Sequence, residues 1–211
     1  PGDIGEILVE APHAMQGYFH THIDIDANQN AMVLYGNRTF VRTGDFGTLT
    51  GDWLTIKGNK DVLITLKSGK VVDPIETEMT LTKSPFIRQI FLYGDGHDYV
   101  VALINPVTLG ISNFLKKFDR RDGQPVVSDR EKADVVRTEI RKFLAEIPDA
   151  RAHPRRFAFV DEFTQANGFL TNRYTLCRNK IEKHYVHYID ALYDETPKFF
   201  GFAVDDYDDL F

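Results

Sequence analysis

The apolar runs between Gly5 and Gly69 are short, and each is closed by glycine, proline or a polar turn, so the opening of this chain can form strands but no long helix. Residues 6–10, bounded by Gly5 and Pro12, read as a strand. Residues 32–35 and 39–41 flank Gly36-Asn37 as a hairpin, and residues 52–56 and 62–66 read as two further strands. Helical signals begin at Pro74, where proline in a first turn is followed by Glu76 and Glu78, carboxylates that complement a helix N-terminus. Beyond it, residues 87–93 and 99–104 form a second hairpin around Gly94-Asp95-Gly96-His97. A helix with Ser128 as N-cap and Asp129 and Glu131 in its first turn spans residues 128–146. Pro148 and Pro154 mark a break, residues 157–160 read as a short strand, and residues 176–193 as a last helix with Ile181, Tyr185, Tyr188, Ile189 and Leu192 on one face. The expected fold is α+β, with a β-rich opening and a mixed remainder.

Within the opening, Arg42-Thr43-Gly44-Asp45 places a carboxylate on a glycine-opened turn, followed by Gly47 and by Trp53-Leu54-Thr55-Ile56-Lys57-Gly58. A carboxylate so placed presents two acceptor oxygens to a ligand with adjacent hydroxyls. The chain of 211 residues carries a net charge of -6, which leaves no basic footprint for nucleic acid. A single cysteine, Cys177, excludes an internal disulfide and suits a reducing compartment. No apolar run approaches the roughly 18 residues of a membrane helix. The sequence opens at Pro1 inside a strand pattern, which predicts a piece of a longer protein.

Gly5-Glu6-Ile7-Leu8-Val9, Gly17-Tyr18-Phe19, Arg42-Thr43-Gly44-Asp45, Ser68-Gly69, Pro74 and Glu78 occur in an order that resembles the AMP-forming acyl-CoA synthetases. The block from Ser84 to Pro106 is most similar to long-chain fatty-acyl-CoA synthetases. The resemblance implies that residues 1–58 end a large N-terminal domain, 59–62 are a hinge, 63–193 are a small mobile C-terminal domain, and 194–211 are an acidic aromatic tail. It implies a nucleotide site at Thr43, Gly44 and Asp45, with the aspartate on the ribose. It also implies a hinge at Lys60, Asp61 and Val62, and a coenzyme A path beside Ser68, Gly69 and Lys70. Implied cofactors are ATP and AMP, Mg²⁺ carried by ATP on upstream residues, and coenzyme A. Implied partners are a fatty acid and the upstream domain of the same protein.

Two positions depart from the family pattern. Counted back from Gly69 and Pro74 without a gap, Asn59 stands where the family has an arginine that shares the ribose with the aspartate, and asparagine lacks that fork of donors; an insertion after Asp61 would instead keep Lys60-Asp61 as the family's Lys-Asp pair, and the arginine is absent in either register. Losing one hydrogen bond to a charged group costs about 1.5 to 3 kcal/mol, or roughly one to two decades of affinity. Thr175 stands where the motif Gly-Glu-Leu-Thr-Pro-Thr-Leu-Lys ends in lysine. In the family that lysine compensates charge at the fatty carboxylate and α-phosphate, and removing one such donor costs about 100 to 1,000-fold in rate. Arg173 and Arg178 are nearby cations, and on a strand Arg173 would share the face of Thr175.

Other features carry less chemistry. Asp24-Ile25-Asp26-Ala27-Asn28 lacks the glycine and the bidentate glutamate of a calcium loop, with Gln29 and Tyr35 in those places. The pairs His20 with His22 and His184 with His187 lack a third ligand in sequence, so no protein-held metal is expected. The expected location is cytoplasmic, compatible with peripheral contact at a membrane. The opening strands, read as the end of a larger barrel, leave edges that favour self-association. Two functional readings follow: a C-terminal part of a long-chain fatty-acid–CoA ligase, or a synthetase-like protein that keeps the fold for binding or regulation after the chemistry has weakened.

Overall fold

A computed structural model describes residues 4–13, 31–59, 62–119, 123–194 and 201–204. The chain divides into two compact units, Pro1–Leu63 and Ile64–Phe211. The described structure is mixed α and β, as the sequence pattern predicts.

The first unit is one open four-stranded antiparallel sheet built around a single long strand. Strand β3 (Arg38–Thr50) pairs with β1 (Gly5–Val9), β2 (Met32–Tyr35) and β4 (Trp53–Asn59). The hairpin at Gly36-Asn37 is present, with Tyr35 opposite Arg38 and Gly36 at φ 62°. Among the described residues this sheet does not close into a barrel. Its side chains are poorly covered, Trp53 being 81% and Ile56 66% exposed.

The second unit is built differently. A short hairpin, β5 (Ile64–Thr65) with β6 (Val71–Val72), precedes helix α1 (Pro74–Leu81). Asp73 caps that helix by accepting the Ile75 amide at 2.9 Å, with Pro74 in the first turn. Strands β7 (Ile87–Tyr93) and β8 (Val100–Pro106) form the expected antiparallel hairpin. Helices α2 (Thr108–Leu115) and α3 (Asp129–Leu144) then cross over to β9 (Pro154–Phe159), which runs parallel to β8. Ser128 caps α3 in a full capping box with Glu131. Pro154 is the first residue of β9 rather than a break, a strand position where a missing amide is tolerated.

Both faces of this second sheet are covered. Val100, Ala102 and Ile104 pack with Leu81, Ile111, Val136 and Ile140, whereas Val101 and Leu103 pack with Ile181, Ile189 and Leu192 on the opposite face. All five of these β8 residues are 0% exposed, which explains why the strand reads as a continuous apolar run. Fully burying side chains of this size contributes roughly 1.5 to 3 kcal/mol each.

One expectation about the end of the chain needs correction. Residues 176–193 form two helices, α4 (Arg178–His184) and α5 (Val186–Tyr193), joined at Tyr185, whose φ of -100° and ψ of 19° depart from the helix. The Tyr185 ring packs against Phe163 and Phe169, and this tertiary contact sits at the bend. The apolar period continues through it, so the sequence pattern cannot register the change in direction. The aromatic tail supplies β10 (Phe202–Ala203), an antiparallel edge strand on β9 that makes the sheet order β10-β9-β8-β7.

Candidate functional site

The stretch expected as a turn, residues 42–45, lies inside β3 instead. Leu8 pairs with Arg42 and Glu6 with Phe46, so residues 43–45 all stand opposite Ile7, two more than a regular ladder would place there, and form a bulge. Gly44 at φ 75° allows the backbone to bend there without leaving the strand. The Thr43 hydroxyl donates to the Ile7 carbonyl at 2.8 Å and accepts the Asp45 amide at 3.0 Å, which stitches the bulge to β1. Arg42 is engaged by Glu6 at 2.5 Å, and this hydrogen bond raises the guanidinium above its ordinary pKa.

Asp45 is half-buried, and among the described residues no donor reaches its carboxylate. Both carboxylate oxygens therefore remain available as acceptors. Asp45 stands directly opposite Asn59 in the β3–β4 ladder, so the structure brings together two residues that are 14 apart in sequence, 59 − 45. Asn59 in turn accepts the Val62 amide at 2.9 Å and the Leu63 amide at 3.1 Å through its carbonyl, which turns the chain at the end of β4. Lys60 and Asp61 lie outside the described residues, as do His20, His22 and the acidic loop at residues 24–28. Gly47, just past the bulge, has no room for a side chain: a Cβ there would sit 2.6 Å from the Thr55 carbonyl oxygen.

In the second unit, Ser68 and Gly69 form the tip of the β5–β6 hairpin, with Gly69 at φ 78° and its amide on the Leu66 carbonyl at 2.8 Å. Lys67, Ser68, Gly69 and Lys70 are all exposed. The β7–β8 turn holds this hairpin from behind: Asp95 accepts the Thr65 amide at 2.5 Å, and the Lys67 amide donates to the His97 carbonyl at 2.9 Å.

Thr175 lies in a tight turn, not on a strand. The isolated bridge between Leu170 and Leu176 closes residues 171–175, so no strand alternation aligns Arg173 with Thr175. The Thr171 hydroxyl accepts the Arg173 and Thr175 amides, both at 3.2 Å, and meets the Thr175 hydroxyl at 2.7 Å. Tyr174 at φ 61° completes the turn in a conformation that bulky residues rarely adopt. Arg173 is exposed.

Arg178, the other nearby cation, is committed elsewhere. Its Nη2 donates to Glu78 at 2.5 Å, with side-chain exposures of 14% for Arg178 and 10% for Glu78. The second Glu78 oxygen accepts the Leu92 amide at 2.8 Å, and the Arg178 guanidinium lies 5.4 Å over the Phe91 ring. Burial pushes the Glu78 carboxyl above its usual range, against the pull of Arg178 and the Leu92 amide. This clamp ties α1, β7 and the start of α4 together. Glu78 and Arg178 each stand out in the sequence, but nothing in it pairs them across the 100 residues that separate them. Lys180 was passed over; its Nζ lies 3.6 Å from where a Gly168 Cβ would stand, at the base of the same turn. Among the described residues, no group of three histidine, cysteine or acidic side chains forms a metal site. His184 lies instead against the rings of Phe169 and Tyr185.

Residues 61–197 match the AMP-binding enzyme C-terminal domain family. The chain belongs to that family. Among curated proteins, this AMP-binding enzyme C-terminal domain is 28% identical to long chain acyl-CoA synthetase 7, peroxisomal, of Arabidopsis thaliana, over 90% of the chain and 27% of the relative. It is 26% identical to a carboxylic acid reductase of Mycobacterium tuberculosis, over 90% of the chain and 15% of that protein. The chain thus spans about a quarter or less of the length of these relatives. Among solved structures, the adenylation domain of a carboxylate reductase from Mycobacterium chelonae shares the fold with a TM-score of 0.65 at 22% identity, over 92% of this chain and 28% of that one. The adenylation and carrier didomain of the Segniliparus rugosus carboxylic acid reductase, solved with AMP, gives a TM-score of 0.66 at 20% identity, over 92% and 25%. Among the described residues of this family member, no helix is long and apolar enough to cross a membrane.

Proposed function

We propose that this chain is the C-terminal part of a long-chain fatty-acid–CoA ligase, one that forms acyl-CoA through an acyl-adenylate with its adenylation machinery weakened. The observation that carries the reading is the register of Asp45 opposite Asn59, which sets a carboxylate that no donor among the described residues reaches beside the residue at the family's arginine position. Family membership and the likeness to acyl-CoA synthetases supply the reaction class.

In this reading Thr43 and Gly44 shape the bulge, Asp45 accepts from the nucleotide ribose, and Asn59 contributes a weaker contact than arginine would. Residues 59–62, with Lys60, Asp61 and Val62, act as the hinge between residues 1–58 and 63–193. Ser68, Gly69 and Lys70 line the coenzyme A path. ATP, with Mg²⁺ held on upstream residues, supplies the phosphoanhydride that activates the fatty carboxylate. A cytoplasmic protein in peripheral contact with a membrane would meet that substrate.

The alternative of a binding or regulatory protein draws on a separate observation. Thr175 is closed on Thr171, and Arg178 is locked on Glu78, which leaves Arg173 as the exposed cation on this turn. Replacing Asn59→Arg in the parent protein distinguishes a nucleotide site from a purely structural ladder. AMP affinity is expected to rise by roughly one to two decades, the worth of a charge-assisted hydrogen bond. Unchanged affinity, read by calorimetry, would remove Asp45 and Asn59 from the nucleotide site.

A further inference from the structure

The β5–β6 hairpin has two residue pairs, too few to hold its own position, and its tip at residues 67–70 is exposed. Its anchors come from the turn between β7 and β8. The Thr65 amide donates to Asp95 at 2.5 Å, the Gly96 amide donates to the Thr65 carbonyl at 2.9 Å, and the Lys67 amide donates to the His97 carbonyl at 2.9 Å. Gly94 lets turn and hairpin approach: a Cβ there would stand 3.0 Å from Ile64 Cγ2 and 3.3 Å from Leu66 Cδ2. A further link, Lys67 with Asp98 at 3.5 Å, joins side chains that are 67% and 73% exposed, and such a pair contributes little.

The turn itself is held by Tyr193, the last residue of α5. The Tyr193 hydroxyl donates to the Tyr99 carbonyl at 2.9 Å and shares the same proton with the Tyr93 carbonyl at 3.2 Å, so it ties the two sides of the turn together. Burial raises this hydroxyl above its ordinary pKa, which keeps it a donor. The Tyr193 ring stacks on the His97 ring with centroids 3.6 Å apart and planes 8° from parallel, and the Tyr93 ring meets His97 edge-on at 5.9 Å. A line of contacts therefore runs from α5 through His97 to the backbone of Lys67, next to Ser68.

We propose that Tyr193 and His97 form a latch that sets the position of the Ser68-Gly69 loop, His97 being a positioning residue for thioester formation with coenzyme A. This role rests on the reading of Ser68, Gly69 and Lys70 as lining the coenzyme A path. A loop held in place beforehand costs less to order when its ligand binds, so the latch lowers KM for coenzyme A and leaves kcat unchanged.

In the parent protein, amide hydrogen exchange at Lys67 reads the latch, with the Leu103 amide of β8 as the internal report on an intact core. KM for coenzyme A is read in thioester formation from a supplied fatty acyl-adenylate, which bypasses adenylation. His97→Ala should speed exchange at Lys67 and raise KM by about two- to tenfold each, the worth of one aromatic stack, with Leu103 exchange and kcat unchanged. His97→Phe keeps a ring for Tyr193 to stack on and should restore both. Unchanged Lys67 exchange in His97→Ala, acceleration shared equally by Leu103, or no restoration by phenylalanine overturns the latch. Faster Lys67 exchange with KM unchanged, or no thioester from the unaltered parent, overturns the coenzyme A reading of the loop and the positioning role of His97 with it, while Lys67 exchange still decides the latch.

Discussion

Two threonines organise two loops by the same device and with opposite results. Thr43 bridges the Ile7 carbonyl and the Asp45 amide, and leaves the neighbouring carboxylate with both oxygens available. Thr171 gathers the Arg173 and Thr175 amides and also the Thr175 hydroxyl, so the Thr175 side chain is turned back into its own loop. The first loop presents a charged group, and the second presents none from that position. What a loop offers a ligand depends on which side chains remain after its own backbone is satisfied.

The contrast breaks most easily at Arg178. If Arg178 holds the fold by neutralising Glu78, Arg178→Ala leaves a carboxylate buried without its partner and should cost about 3 to 5 kcal/mol in denaturant unfolding. A loss below about 1 kcal/mol would mark Arg178 as a free cation and return it to the candidates for the missing lysine's role.

In the first loop, the bulge needs β4 at close range. Gly47→Ala should destabilise the first unit by about 1 to 3 kcal/mol, because the new Cβ would meet a backbone oxygen that cannot yield. A neutral result would show that β3 and β4 have slack, and with it that the pairing of Asp45 with Asn59 is loosely held.

The second loop should respond in the other direction. Tyr174 is exposed and held at φ 61°, so Tyr174→Gly relieves a left-handed conformation and should add about 1 kcal/mol. No gain would mean that the tyrosine ring contributes contacts that offset its backbone strain.

Much of the fold was legible in local pattern. The β7–β8 hairpin announced itself by two apolar runs around Gly94-Asp95-Gly96-His97, and α3 by Ser128 with acidic residues behind it. What escaped depends on distant partners. The bulge at residues 43–45 exists because Ile7 lies across from it, and the sequence alone shows only a glycine that suggests a turn. Strand β10 is two residues long and is defined by Phe157 and Arg156 rather than by its own propensity. The Glu78–Arg178 clamp spans 100 residues, beyond any spacing rule. Of the candidate site, the motif residues were found by resemblance, whereas the closure of Thr175 on Thr171 depended on the turn's actual geometry.

The proposed function has Thr175 weakening adenylation in the parent protein. Fatty-acid-dependent ATP–pyrophosphate exchange, measured in the parent protein beside its Thr175→Lys variant, tests it most directly. The account predicts slow exchange in the parent and an increase of about 100 to 1,000-fold in the variant, the worth of one fixed donor at the developing charge. Brisk exchange in the parent that the variant leaves unchanged would contradict it, and would show that another cation already does the lysine's work.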